Sequence, residues 1–505
     1  MNVAVSDTRP EAVQSVVIVG GGTAGWIAAA ALAKTLGRAI NIRLIESEAI
    51  GTVGVGEATI PQIRRLNGIL GIEEAEFLKA TKATYKLGIE FSNWGQKGES
   101  YLHTFGDAGI NFQGIPFHHF WRKHSGGGPD ASLWDYSLHH RAAYSHKFAP
   151  VERVGRTSMT GLAFAYHFDA SGYALFLRKL SEGLGVTRTE GRVTEVNQDA
   201  NSGHIRSVRL ESGEVIEGDL FIDCTGFRGL LIGGALDVEW QDWSHWLPVD
   251  RAVTVPCERT DPLIPYTKAI AHDAGWQWRI PLQHRTGNGH VFVSDYISED
   301  EATQVLLDNL DGKPTADPRT LRFKTGRRDK LWHKNVVSLG LASGFLEPLE
   351  STSIHIIQSN VSRLIELFPD TSFSQANIDE YNRVVSHEYD LIRDFLILHY
   401  KLTRRDDSPF WRQCATMDIP DSLQHKMDLF ETSGHLFRDS EDLFRESSWV
   451  QVMLGQGLTP KSWHRHVDQL TDAQLDQFMG DVQALIAQTV DPLPSHADYV
   501  KNLVG

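Results

Sequence analysis

A glycine turn set between a strand and a helix restricts this chain more than any other feature. Ser15-Val16-Val17-Ile18-Val19 is a short β-branched apolar run, the pattern of a strand buried on both faces of a parallel sheet. Gly20-Gly21-Gly22-Thr23-Ala24-Gly25 follows at once, and an alanine-rich stretch from Trp26 to Lys34 then reads as a helix. This is G-x-G-x-x-G in the setting a dinucleotide site requires. Gly20 permits the tight turn, Gly22 lets the backbone approach a pyrophosphate, and Gly25 lets helix and strand pack closely, with Thr23 and Ala24 at the helix N-terminus. A second strand, Ile42-Arg43-Leu44-Ile45, ends in Glu46, where a carboxylate can accept ribose hydroxyls. The bland alternative, a glycine turn without a ligand, sits poorly with the complete strand–turn–helix–strand context. The motif leaves open whether the ligand is FAD or NAD(P), and what reaction follows.

Bulk properties exclude several classes. The 505 residues are too many for one simple domain. Hydrophobic residues make up 41% and charged residues 22%, a soluble globular balance. The formal net charge is −15 and no long basic run occurs, which argues against nucleic acid or an anionic membrane as partner. Cys224, Cys257 and Cys414 are far apart and odd in number, so neither a disulfide framework nor a metal site is expected, and a reducing cytoplasm is the natural setting. The N-terminal segment lacks a basic region and a signal peptide is not expected. No stretch is apolar for long enough to read as a membrane span.

Two later segments resemble the returning strands of the FAD-binding fold of aromatic hydroxylases: residues 213–229, GEVIEGDLFIDCTGFRG, and residues 336–345, VVSLGLASGF. With one G-x-G-x-x-G, no second dinucleotide domain for NAD(P)H is visible. Gly275-Trp276-Gln277-Trp278-Arg279-Ile280-Pro281 reads as a strand with both tryptophans on one face; alone it is more simply a half-buried core strand. The same string resembles the W-x-W-x-I-P signature of flavin-dependent halogenases of the tryptophan-halogenase family. There Trp276, Trp278, Ile280 and Pro281 would shield the flavin from the organic substrate. Other segments agree with the resemblance. Gly54-Val55-Gly56-Glu57-Ala58-Thr59-Ile60-Pro61 looks like the family's flavin strap, placing Gly56 and Ala58 on the cofactor. The stretch from Thr84 to Trp94 matches the segment of the catalytic lysine, here Lys86. Phe345-Leu346-Glu347-Pro348-Leu349-Glu350-Ser351-Thr352-Ser353-Ile354 matches the segment with the catalytic glutamate, here Glu350, beside Ser351, with Ile354 and the earlier Leu341 as cofactor contacts. Matches continue to Tyr389–Phe395 on a long helix and to Pro409-Phe410-Trp411.

The resemblance implies FADH2-dependent halogenation, chlorination or bromination, with FADH2 supplied by a separate flavin reductase. A flavin hydroperoxide and a halide ion would give hypohalous acid, relayed to Lys86. A lysine ammonium can polarise that oxidant, and burial makes the neutral amine accessible as well. Glu350 would stabilise the cationic ring intermediate and deprotonate it. Taken singly, Lys86 reads as a snorkelling surface lysine and Glu350 as a helix-capping acid. Backbone N–H groups at Thr352 and Ser353 would hold the halide. The family commonly has glycine where Ser353 stands, and if that position needs φ > 0 a serine is costly.

His103 and Phe105 match an H-x-F pair that lines one face of the substrate indole in the family, and Phe444 can supply the opposite wall. The tyrosine pair that clamps the amino acid in tryptophan-specific members is missing from Gly434–Ser440, so an indole-type or other electron-rich small aromatic is expected rather than free tryptophan. The rivals are a monooxygenase, namely a flavin-dependent aromatic hydroxylase, and a non-catalytic flavin-binding protein. The expected fold is α/β: a Rossmann-like FAD-binding module of the aromatic-hydroxylase type in three pieces (1–100, 160–235 and 320–365), and a substrate module (101–159, 236–319 and 366–505) with an additional sheet and a mainly helical C-terminal part. Helix starts are expected near Ser298, Ser374 and Thr471. A homodimer is left open.

Overall fold

The computed structural model of the protein describes residues 11–50, 56–126 and 132–505; Gly54 and Val55 of the strap lie outside them. The central sheet has six strands, in the order Trp332–His333, Val336–Ser338, Leu220–Asp223, Ser15–Val19, Asn41–Glu46 and Thr187–Glu190. It is parallel apart from its first pair. Alternation on Ser15–Val19 explains its unbroken apolar character. Val16 and Ile18 face the core that contains the helix Thr23–Leu36, while Val17 and Val19 face a second core shared with the three-stranded sheet of residues 193–217. Both faces are covered along Val16–Val19, so these four positions are all apolar, and the one polar residue is Ser15 at the half-buried start, whose Oγ donates to Asp219. The helices Ala170–Gly183 and Ser353–Glu366 pack against Thr23–Leu36.

A second sheet holds Gly275–Pro281 near its middle, between Arg285–Phe292 and Thr267–His272. Its far edge is the hairpin Gly88–Ser92 and Ser100–Thr104, joined to Thr267–His272 in parallel. A third, small sheet matters most for the site. Its middle strand, Ala165–Asp169, pairs with the strap strand Gly56–Ala58 on one side and with Thr84–Lys86 on the other. Backbone register thereby fixes Lys86 relative to the strap.

From residue 353 onward the chain is helical, including the 27-residue helix Gln375–Lys401 and helices Asp421–Ser433, Glu446–Gly455 and Asp472–Val490. The expected starts are present: Ser374 precedes the long helix, and Ser298 and Thr471 each form a capping box with the residue three ahead. Among the described residues no helix is long and apolar enough to cross a membrane, and no cluster could hold a metal ion.

Candidate active site

A cavity of about 990 Å³ runs from the glycine turn, past the strap, to the second sheet. Steric limits on the turn explain its glycines. Gly20 has φ +115°, and a Cβ there would lie 2.2 Å from the Cys224 carbonyl oxygen; one at Gly25 would lie 1.9 Å from the Gly20 carbonyl oxygen. At Gly22 a Cβ would meet nothing within 4 Å, so it would project into the space a ligand needs. Gly22, Thr23 and Ala24 line the cavity at the N-terminus of the helix Thr23–Leu36, whose first N–H groups have no intrahelical partner. Glu46 lines it as well, held by Arg188 and by Trp26 Nε1 at 3.2 Å. Gly56, Ala58, Leu341 and Ile354 also line it. Open space at Gly22, a helix N-terminus, a fixed carboxylate and an aromatic far end together fit a flavin dinucleotide.

The far end is the tryptophan strand. Trp276, Trp278 and Ile280 all line the cavity, with the two indoles 6.1 Å apart at 58°. Pro281 is outside the lining; its carbonyl oxygen accepts from Thr84 Oγ1 at 2.6 Å and so ties this strand to the lysine strand. Trp276 Nε1 donates to Glu347 Oε2 at 2.7 Å. Glu57, also on the lining, has no place in the sequence argument. Burial pushes its carboxyl up to about 7.

Lys86 and Glu350 are not part of the lining, and Ser351 joins the two regions. Ser351 borders the cavity and its Oγ accepts from Lys86 Nζ at 2.8 Å. Lys86 is 0% exposed, not a surface lysine, and its ammonium sits 5.3 Å over the Phe105 ring. Burial pulls it down to about 7, against the opposing pull of Glu350. Glu350, 1% exposed, has His103 Nδ1 at 2.9 Å from both oxygens. His399 Nε2 lies 2.9 Å from Oε1, within ion-pair distance though not aligned as a hydrogen bond. Burial alone would raise this carboxyl; His103, then His399, override it and hold it at about 2. His103 therefore grips the carboxylate, a role the H-x-F match did not suggest.

The condition attached to Ser353, a positive φ, is not met. Ser353 opens the helix Ser353–Glu366 and is not left-handed; Ser351, two residues earlier, takes φ 60°. The turn Pro348–Glu350 ends there, so Ser351 carries the backbone strain that glycine would relieve. Thr352 is buried, and its Oγ1 has no partner among the described residues.

Phe444 is buried and stacks on Phe395 at 3.8 Å, with His103 6.2 Å away. Phe395, which the sequence places at the end of a matched helical segment without a role in the site, stands 5.6 Å from His103 and meets Trp449 edge-on at 4.8 Å. In the segment after Gly434, Arg438 donates to the Asp442 carbonyl oxygen and Phe437 is 73% exposed.

A family model for tryptophan halogenase matches residues 15–472. Tryptophan 7-halogenase RebH of Lentzea aerocolonigenes is 34% identical over 530 residues, covering 98% of this chain and 99% of the relative. Among solved structures, Xcc4156, a flavin-dependent halogenase from Xanthomonas campestris, superimposes with TM-score 0.94 at 49% identity over 97% of this chain and 98% of its own. BrvH, a flavin-dependent halogenase from Brevundimonas sp. BAL3, gives TM-score 0.94 at 42% identity over 98% and 99%.

Proposed function

Since the chain belongs to the tryptophan halogenase family and is a flavin-dependent halogenase, we propose that it halogenates an electron-rich, indole-type arene through Lys86 and Glu350. FAD and a halide ion belong to this activity; reduced FAD, delivered by a separate flavin reductase, would supply with oxygen the oxidant that turns halide into an electrophile. Gly20, Gly22, Thr23, Ala24 and Glu46 would hold the dinucleotide, with Gly56, Ala58, Leu341 and Ile354 along it. The halide would rest on the N–H groups of Thr352 and Ser353, where the start of the helix Ser353–Glu366 favours an anion.

The observation that carries this reading is the link through Ser351. The amine and carboxylate are off the cavity wall, yet one serine touches both the cavity and Lys86. A small oxidant would reach the amine past Ser351, while Trp276, Trp278 and Ile280 would bar an arene from the cofactor side. Lys86, within reach of both protonation states near neutral pH, would donate a hydrogen bond to the oxidant or take the halogen on nitrogen. Glu350, kept anionic by His103 and His399, would stabilise the cationic ring and remove its proton. His103, Phe105 and Phe444 would flank the ring. Free tryptophan is disfavoured because Gly434–Ser440 offers no tyrosine to its zwitterion, and Arg438 is already engaged.

The test supplies NADH, a flavin reductase, FAD and chloride or bromide, with indole, tryptophan or a phenol as acceptor. Product mass should show a halogen isotope pattern with indole well above tryptophan. Glu350→Gln should lower turnover by about 100-fold or more at unchanged FAD affinity. Oxygen added without halogen would point instead to a hydroxylase.

A further inference from the structure

Glu347 is fully buried, and one of its oxygens serves two donors. Oε2 accepts from Trp276 Nε1 at 2.7 Å and from the Tyr400 hydroxyl at 2.7 Å, while Oε1 has no partner among the described residues. Trp276 lines the cofactor cavity and Glu347 does not, so the carboxyl grips the indole from behind. Tyr400 is itself wedged, edge-on to Trp94 at 5.3 Å and stacked with Trp411 at 6.1 Å. The anchor is therefore rigid at its far end.

A buried carboxyl with one idle oxygen is a costly way to satisfy an indole. Nor does the fold demand that satisfaction. Trp278, two residues along the same strand, leaves its own Nε1 buried without a partner. What sets Trp276 apart is its double contact, with the cavity on one side and a fixed carboxyl on the other. From this we propose that Glu347 is a positioning residue for halogenation, holding the Trp276 indole as the fixed wall between cofactor cavity and arene pocket. The proposal rests on the function given above.

Burial pushes the Glu347 carboxyl up to about 7, with Trp276 and then Tyr400 pulling the other way. In its neutral form, populated below about 7, it accepts both donors through its carbonyl oxygen and carries no full charge behind the indole.

Three variants test it. Glu347→Gln keeps a carbonyl oxygen for both donors, Glu347→Leu keeps the volume and removes it, and Trp276→Phe removes the donor and identifies the Trp276 signal. In heteronuclear NMR spectra of the indole N–H groups, the Trp276 resonance should move upfield in Glu347→Leu and stay close to its place in Glu347→Gln. Losing a hydrogen bond to a buried group is a change of about tenfold in an equilibrium, so halogenated product per reduced cofactor should fall about tenfold in Glu347→Leu and in Trp276→Phe. Hypohalous acid caught by an added scavenger should rise to match, and Glu347→Gln should stay within about twofold of the parent. An unmoved Trp276 resonance in folded Glu347→Leu overturns the proposal, and so does unchanged coupling in Trp276→Phe. If the unaltered protein halogenates no arene, the function proposed above fails, while the spectrum still decides whether Glu347 fixes Trp276.

Discussion

Replacing Lys86 with methionine should stabilise the protein while removing its activity. The lysine is fully buried, hydrogen-bonded to Ser351 Oγ and brought from the ordinary 10.5 down to about 7. With each tenfold in proton affinity worth about 1.4 kcal/mol, holding this ammonium in place costs the folded state about 5 kcal/mol. Between those two values the unfolded chain binds the proton and the folded chain does not, so this residue makes stability rise with pH across that window. The full penalty applies below about 7. Methionine fills a similar volume with no charge to desolvate, but it leaves Ser351 Oγ without its donor, returning about 2 kcal/mol; the attraction of Glu350 is already contained in the shift. The net expectation is a gain of about 3 kcal/mol near pH 6, shrinking as the pH approaches about 10. Urea denaturation followed by circular dichroism at both pH values measures it, with the isotope-pattern assay run in parallel. A Lys86→Met protein less stable than the parent near pH 6, or one whose stability difference ignores pH, would refute the buried-ammonium reasoning.

Two further outcomes concern the cofactor cavity. Gly25→Ala pushes a methyl to 1.9 Å from the Gly20 carbonyl oxygen and should lower stability by about 3 kcal/mol in a thermal melt. Gly22→Ala meets no protein atom within 4 Å, so it should melt like the parent yet bind FAD about tenfold more weakly in a flavin-fluorescence titration. Because burial raises Glu57 to about 7, its carboxyl becomes anionic beside the cavity above that pH. FAD affinity should therefore fall as pH rises through about 7 in the parent and stay level in Glu57→Gln; level behaviour in both would remove Glu57 from the binding site.

The glycine turn was legible because its constraints are local: a Cβ at Gly20 or Gly25 collides within the same strand–turn–helix unit or with its neighbouring strand. Lys86 and Glu350 could be marked by their motif strings, but not their environment. Their meeting depends on the register of Thr84–Lys86 against Ala165–Asp169 and on a turn more than 250 residues later in the chain. Nothing in Leu349-Glu350-Ser351-Thr352-Ser353 says which residue goes left-handed, so the sequence could raise a positive φ at Ser353 only as a condition, and the residue that takes it is Ser351. His399 and Tyr400 left no mark at all. Residues 394–400 of the long helix are buried on every side, and a helix apolar all round has no periodic stripe to show which side chains face a site. Phe395 could be placed on the helix by its motif, but not turned toward the site, for the same reason.

The last turn of that helix has a practical consequence. His399 approaches Glu350 and its immediate neighbour Tyr400 bonds Glu347, so consecutive side chains, about 100° apart around one axis, reach both carboxyls of a single short loop. Turning or sliding the helix to admit a bulkier arene would disturb the proposed base and the proposed barrier in one stroke. Redesign for new substrates therefore belongs on the opposite bank, around Phe444 and the chain leading into it, where the carboxyl anchors stay untouched.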